Sequence, residues 1–346
     1  MQKVLVTGGL GYIGSHTVLE LLRHGGFEPI SIDSNLNSTP ETLDYIENAS
    51  GSRIKNYQVD LCDYEASKPV FEEHSDAVGI IHFAALKSVP DSVADPLLYY
   101  RNNLNSLANI LELSHKCGIQ NIIFSSSCAI YGNVEKLPVD EATPFGHAES
   151  PYAHTKQIGE VMLYDYAKIW PDIKAIALRY FNPVGADETG KNGENPINPP
   201  TALVPYITQT AVGKFEKLTV FGNDYDTRDG SCIRDYIHVS DVADAHVKAL
   251  VYQLEGKQES PVDTINIGTG DGVTVLEAVA AFKEETGVDL PYTIGKRRPG
   301  DVAAIYSDST KAKESIGWEA KRDISEMMRS AWEWEKFLKE NTAKPV

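Results

Sequence analysis

The sequence predicts an α/β protein: a doubly wound parallel sheet followed by a smaller, mixed α/β C-terminal domain that faces the substrate. Three observations carry this reading. An apolar strand runs straight into a glycine-spaced turn and an amphipathic helix at the amino end. Short apolar runs then alternate with helical periodicity as far as Leu178, and beyond Tyr180 the rhythm changes. Alternating strand and helix means a parallel sheet covered on both faces. The expected division is 1–181 for the first domain and 182–346 mainly for the second, with some chain crossing back. A chain of 346 residues suits about two such domains.

The elements follow in order. Val4-Leu5-Val6 reads as a buried strand, and Tyr12 to His24 as a helix stopped by Gly25-Gly26. Pro29 to Ile32 is the second strand, and further strands are expected at Tyr57–Val59, Gly79–Phe83 and Asn121–Phe124. Helices lie between them. Two open at Asp95-Pro96 and Ser150-Pro151, where a capping side chain precedes a first-turn proline. Lys174 to Leu178 is the sixth strand. Asn182 to Pro200 is too long for a simple connection, which suggests a functional lid or a disordered segment. A helix over Ala202–Val212, strands at Leu218–Phe221 and Arg234–His238, and three more helical stretches complete the chain. In the last stretch, Met327-Met328 fits a core or a dimer face, and Trp318, Trp332 and Trp334 read as packing anchors.

Composition narrows the function. With 32 Lys and Arg against 49 Asp and Glu the formal charge is −17, which argues against nucleic acid and against an anionic membrane surface. An anionic ligand would need a local group of arginines. The four cysteines (Cys62, Cys117, Cys128, Cys232) form no C-x-x-C pair and read as reduced thiols. Met1-Gln2-Lys3 enters a strand pattern at once, leaving no room for a signal peptide, and no apolar run is long enough to span a membrane. A cytoplasmic protein is expected. The nine histidines show no metal-ligand spacing, so no metal is expected.

The clearest local signal is Gly8-x-x-Gly11-x-x-Gly14, with a strand before it and a helix after it. The first glycine makes the turn, the second lets backbone amides approach a pyrophosphate, and the third lets helix pack on strand. Asp33 ends the second strand, where a carboxylate accepts hydrogen bonds from the adenosine ribose and would repel a 2′-phosphate. The expected cofactor is therefore NAD. A second signal is Tyr152-x-x-x-Lys156 at a helix start, with both side chains on one face. An ammonium beside a phenol is expected to lower the phenol's pKa and make it a usable base. Ser127, at the carboxyl end of the fifth strand, can converge with Tyr152 on one substrate hydroxyl.

The glycine motif and the Ser127, Tyr152 and Lys156 trio resemble the extended short-chain dehydrogenase/reductase superfamily, and within it the UDP-glucose 4-epimerases. The shared stretches span nearly the whole chain: TGGLGYIGSH from Thr7, HFAALKSV from His82, FSSSCAIYG from Phe124, SPYAHTK from Ser150, RYFNPVGA from Arg179, FGNDYDTRDG from Phe221, RDYIHVSD from Arg234 and RRPGD from Arg297. This resemblance implies inversion at C4 of a UDP-hexose through a transient 4-keto sugar, with Tyr152 as base and NAD held throughout. Tyr12 and Ile13 would lie under the pyrophosphate, Asp33, Asn37 and Ser38 at the adenosine end, and Asp60 and Leu61 beside the adenine. Phe83, Ala84, Ala85 and Lys87 would line the groove, with Asn102 nearby and Phe181 against the nicotinamide. Asn182, Leu203, Val220, Phe221, Arg234, Arg298 and Asp301 would hold the nucleotide-sugar, with Lys87, Ser127 and Tyr152 at its sugar end. The resemblance also implies a homodimer packed through the helices of Asp95–Lys116 and Tyr152–Ile169.

Three departures from the family pattern stand out. Ala202 replaces an asparagine before Leu203, Ser34 follows Asp33 where relatives carry asparagine, and Ile305 occupies the sugar-pocket gate, where tyrosine or a small residue is more familiar. A 4,6-dehydratase would carry Thr-Asp-Glu where this chain has Ser127-Cys128-Ala129. A 4-epimerase of another UDP-sugar, and a non-catalytic NAD-sensing protein, remain as alternatives.

Overall fold

The computed structural model describes residues 1–298 and 301–342. The first half runs β1 (Gln2–Thr7), α1 (Tyr12–His24), β2 (Phe27–Ile32), α2 (Thr42–Ser50), β3 (Lys55–Tyr57), α3 (Tyr64–Glu73), β4 (Gly79–His82), α4 (Val89–Ala94), α5 (Pro96–Cys117), β5 (Asn121–Ser127), a 3-10 turn (Cys128–Tyr131), α6 (Pro151–Ile169) and β6 (Lys174–Tyr180). The second half adds β7 (Asn182–Val184), α7 (Leu203–Ala211), β8 (Leu218–Phe221), β9 (Ile233–His238), α8 (Val239–Leu254), β10 (Val262–Ile267), β11 (Gly272–Thr274), α9 (Val275–Thr286), β12 (Tyr292–Gly295), β13 (Ala304–Ile305), α10 (Thr310–Ile316) and α11 (Ile324–Thr342).

Local chemistry sets the helix ends. Asp95 accepts from the Leu98 amide at 3.1 Å and Ser150 from the Ala153 amide at 3.2 Å, each followed by proline in the first turn. The helix α1 stops at Gly25, whose φ of 77° suits glycine and whose amide returns to Leu22.

Seven parallel strands form one sheet in the order β3-β2-β1-β4-β5-β6-β10. Strand order reverses between β1 and β4, the switch point where such sheets bind ligands at their carboxyl ends. The edge strand β10 comes from the second half and pairs with β6. The core around Val4, Val6, Ile81, Ile123, Ile176 and Leu178 is fully buried and continuous with α1 and α8. A second core holds Ile207, Leu218, Val220, Phe282 and both Met327 and Met328, so those methionines are core residues. It sits beside two small sheets, one joining β7, β11 and β13 to β9, the other pairing β8 with β12.

Several expectations need adjustment. The third strand ends at Tyr57 instead of beginning there, because Asp33 N bonds Tyr57 O and the chain turns away at once. Among the described residues four helices follow β9, not three; the extra one is the seven-residue α10. From Asn182 as far as Glu194 the expected lid or disordered segment is anchored to the rest of the fold. Its first three residues pair with β9, Ala186 bridges Gly193, and Arg23, Ser15 and Trp334 bind Asp187, Asn192 and Glu194. Pro299 and Gly300 of the RRPGD stretch, and residues 343–346 of the expected second domain, lie outside the described residues. Among those described, no helix is long and apolar enough to cross a membrane.

Candidate functional site

The groove begins at the switch point. Gly8 has φ +68°, and a Cβ there would come within 2.8 Å of the Ala84 nitrogen; a Cβ on Gly14 would come within 2.1 Å of the Gly8 carbonyl oxygen. Only glycine permits this closeness of turn, helix and β4. The N-cap of α1 is Gly11, which brings no side-chain cap, and the first turn, with Tyr12 and Ile13, contains no acidic residue. An uncapped helix start with no carboxylate is a fitting seat for a diphosphate. Phe83 turns its ring to His246 at 4.6 Å, so it lines the groove through its main chain next to Ala84 and Ala85.

Asp33 is buried at the end of β2 and has a structural duty. Its carboxylate accepts from the Leu10 amide at 3.0 Å, the Asn35 amide at 2.9 Å and the Ser38 hydroxyl at 2.6 Å. It thus ties the glycine turn to the Asn37–Ser38 loop and keeps acceptor capacity for a ribose. Ser34 contributes only a weak turn contact to Leu36, and Asn37 is exposed. Asp60 is also exposed and caps Cys62, Leu61 is buried, and Asn102 lies 3.6 Å from the Cys62 sulfur. Asn109, which the motifs did not mark, fixes the carbonyls of Leu61 and Cys62. Glycine turn, anion seat and ribose acceptor fit NAD.

Lys87 does not lie free in the groove. It donates to Glu194 at 2.9 Å and sits 5.7 Å from the Tyr12 ring centroid, while Tyr12 donates to the Gly185 carbonyl at 2.7 Å. The segment after β7 therefore crosses above the α1 N-terminus.

At the carboxyl end of β5, Ser127 accepts from the Ala129 amide at 3.2 Å and lies near enough to the Tyr152 phenol to favour its ionised form. The expected electrostatics are reversed in the protein alone. Burial pushes the Tyr152 phenol up to about 12, although Ser127 opposes the shift. Lys156 is itself pressed down to about 7 by burial, with Glu160 opposing. Its ammonium donates to the Ser125 carbonyl at 2.5 Å and lies 5.9 Å from the Tyr152 ring centroid. Desolvation is the leading cause of both shifts. Cys128, pushed up to about 12 by burial, is no nucleophile.

The residues expected from the sequence to face the substrate gather around β9. Asp301 receives the Nε and Nη2 of Arg298 at 3.1 Å and stands 3.5 Å from Nη2 of Arg234, whose Nη1 holds the carbonyls of Ile233 and Val302. The arginines are thus pre-ordered by a carboxylate rather than free, which moderates their local positive field. Arg298 lies 5.3 Å from the ring centroid of Phe221, itself 39% exposed and able to stack on a base. Val220 is buried and can offer only its main chain. Ala202 is the N-cap of α7 without a side-chain bond, so the helix start at Leu203 is uncapped. The Asn182 amide oxygen is buried without a hydrogen-bond partner among the described residues. Ile305 packs with Phe181, Ile130, Tyr131 and Val139.

Beneath the site lies a buried network that sequence spacing did not reveal. Glu160 is held two-pronged by Arg179 at 3.0 and 2.7 Å and receives Ser126 at 2.5 Å, and Arg179 reaches the Tyr131 hydroxyl at 3.0 Å. Glu160 lies four residues beyond Lys156 on one helix face, the one signal that could have marked it. A surface groove of about 490 Å³ at the far end of α1 lies away from all of this, and its cations are already paired, as Lys257 with Glu255. No group of metal-ligating side chains occurs among the described residues.

A phenol and an ammonium one helical turn apart, meeting a serine at the mouth of a dinucleotide groove, is the arrangement of short-chain dehydrogenase/reductases, and the long second half places the chain among their extended members. The family model described as GDP-mannose 4,6 dehydratase matches residues 5–331. A UDP-glucose 4-epimerase of Bacillus subtilis (strain 168) is 46% identical over 334 residues, 96% of this chain and 97% of the relative. One from Mus musculus is 43% identical, covering 97% of each chain. Among solved structures, the UDP-glucose 4-epimerase of Bifidobacterium longum in complex with NAD+ and UDP is 42% identical with a TM-score of 0.92, covering 97% of this chain and 98% of that one. That of Stenotrophomonas maltophila, with bound NAD and formylated UDP-arabinopyranose, is 39% identical with a TM-score of 0.93, covering 99% and 100%. The chain belongs to the UDP-glucose 4-epimerase family.

Proposed function

We infer that this chain interconverts UDP-glucose and UDP-galactose by inversion at C4, through a transient 4-keto sugar and a tightly held NAD. What supports the reading is the gathering of Ser127 at the end of β5 with Tyr152 and Lys156 on α6 beside the switch-point groove. The dehydratase reading lacks its acids, since Cys128 and Ala129 stand in their place. NAD, when bound, supplies a hydride acceptor with a cationic ring. Tyr152 takes the proton of the sugar 4-hydroxyl, through or beside Ser127, and returns it after the keto sugar has turned its other face. Lys156 supplies positive charge to the developing phenolate. Arg234, Arg298, Phe221 and Asn182 hold the uridine diphosphate, so the sugar turns without escaping. Residues 1–181 act mainly as the cofactor domain and 182–346 mainly as the substrate domain, with β10 returning to the sheet.

The active unit we infer is a cytoplasmic homodimer, a compartment that suits four free cysteines. Leu97 and Leu98 on α5, and Val161, Tyr164 and Ile169 on α6, are exposed apolar side chains on two helices that pack together. Light scattering at micromolar concentration should give twice the chain mass. The activity is tested by proton NMR of UDP-galactose with purified protein and no added cofactor. UDP-glucose signals should grow in, and denatured protein should release a nicotinamide nucleotide. If neither occurs, and added NAD restores no turnover, the reading is lost.

A further inference from the structure

A second buried phenol stands beside Tyr152 with no role in the chemistry above. Tyr180 closes β6 directly opposite Ser127 in the β5–β6 pairing. Burial pushes its phenol well above the ordinary value, and Tyr152 adds to the shift. A hydrogen bond joins its hydroxyl to that of Ser125, and either oxygen can be the donor. Ser125 is also the seat of Lys156: the ammonium donates to its carbonyl at 2.5 Å and stands 3.5 Å from its hydroxyl oxygen. The three side chains therefore form one line, from Tyr180 through Ser125 to Lys156.

A buried ammonium is tolerable only while acceptors face its protons. A serine hydroxyl presents a lone pair in one direction only if its proton is turned in another. The Tyr180 oxygen gives that proton a destination. Other groups around the lysine are already engaged or distant. Glu160, on the same helix, is held by Arg179 from β6 and Ser126 from β5. His82 on β4 bonds Thr7 and is kept neutral, pressed down to about 3 by burial and then by Lys156. The Phe124 ring lies 4.9 Å from the ammonium and offers only its face. Tyr99 on α5 and Cys128 on the 3-10 turn influence Tyr152 instead.

We propose that Tyr180 and Ser125 are positioning residues: the Ser125 proton points to the Tyr180 oxygen, the Ser125 lone pair faces Lys156, and the lysine is thereby held as an ammonium beside Tyr152. The proposal rests on the epimerase reading and deepens it. Tyr180 acts through Ser125 and Lys156, and touches neither sugar nor cofactor in this role. Without the Tyr180 hydroxyl, the Ser125 proton can swing toward the ammonium, and the lysine gives up its charge at lower pH.

The test compares wild type, Tyr180→Phe, Ser125→Ala and Ser125→Thr as purified, NAD-loaded protein. Each is followed across pH for kcat and KM, and by nitrogen NMR of labelled lysines. In Tyr180→Phe and Ser125→Ala, kcat should fall about tenfold, the kinetic equivalent of one charge-assisted hydrogen bond, with KM within about twofold of wild type. The high-pH limb of the profile and the Lys156 titration should both move to lower pH. Ser125→Thr keeps the hydroxyl and should keep the wild-type limb. A lowered kcat with an unmoved limb and an unmoved lysine titration would mean a merely structural role and would overturn the proposal, as would no change at all. If Tyr180→Phe does not fold, the Ser125 pair carries the same comparison. A wild type that inverts nothing at C4 sinks the epimerase reading, whereas an active wild type with unmoved limbs in the variants sinks this proposal alone.

Discussion

Ile305 stands opposite Arg234 in the parallel pairing of β13 on β9, and the two side chains have different surroundings. The isoleucine is 4% exposed and packs against Phe181, Tyr131 and Val139. The guanidinium turns to Asp301 and the Val302 carbonyl. Ile305, proposed as the sugar-pocket gate, is therefore fixed to the strand that carries Arg234, proposed to hold the nucleotide. Being β-branched as well, it has little freedom to swing aside.

Substrate breadth follows from this. Overpacking costs about 1–3 kcal/mol, so an N-acetyl group at the sugar's C2 should be poorly accepted. UDP-glucose and UDP-galactose should be preferred, and Ile305→Ser should raise activity on UDP-N-acetylglucosamine. Truncation in a packed cluster should also lower stability, by about 2–4 kcal/mol. A wild-type kcat/KM for UDP-N-acetylglucosamine equal to that for UDP-glucose would contradict the gate.

Removal of the proposed base is the sharpest test of the chemistry. Tyr152→Phe keeps the ring and loses the ionisable oxygen, so activity should fall about 10²–10⁴-fold with bound NAD retained. Lys156→Met should shift upward the limb on which activity rises with pH, because the phenol loses its neighbouring charge. Activity of Tyr152→Phe within a few-fold of wild type would show that the proton goes elsewhere.

The Arg179–Glu160 pair is almost fully buried, at 6% and 0% exposure. Arg179→Met leaves Glu160 unpaired in the interior and should cost about 3–5 kcal/mol, read from chemical denaturation. Pairing it with Glu160→Leu should recover part of that loss. A single variant as stable as wild type would show that the pair is not truly shielded from water.

Acid should destabilise the fold early. Burial is the main cause that presses His82 and His238 down to about 3 and His246 to about 4, from 6.5. Each folded-state value lies below the unfolded one, so the folded protein refuses a proton that the unfolded chain accepts. Their contribution is complete above pH 6.5 and lost as pH falls through 6.5 toward 3. Near pH 5 each histidine accounts for about 1–2 kcal/mol. A thermal midpoint that stays level down to about pH 5 would refute this linkage.

The sequence made the local grammar legible. Gly8, Gly14, Asp95-Pro96 and Ser150-Pro151 each specify a backbone event within a few residues, and Leu218–Phe221 was readable to its ends. Contacts at long range left no such trace. Glu194 reaches Lys87 across 107 positions, and Tyr180 meets Ser125 across 55, because both pairings exist only after the sheet is assembled. The β10 strand was missed because an edge strand of Val-Asp-Thr-Ile-Asn-Ile carries only a mixed apolar pattern. The direction of the Tyr152 shift was misjudged for a related reason, since spacing shows that a lysine is near but not how dry the pocket is.

The central claim is that hydrogen leaves C4 as hydride and returns to the same carbon on the opposite face. The most direct test is UDP-galactose carrying deuterium at C4, incubated with the protein in ordinary water and followed by proton NMR and mass spectrometry. The account predicts UDP-glucose that keeps the deuterium at C4, with no loss to solvent and no added cofactor. Inversion with the deuterium washed out into water, or no inversion at all, would contradict it.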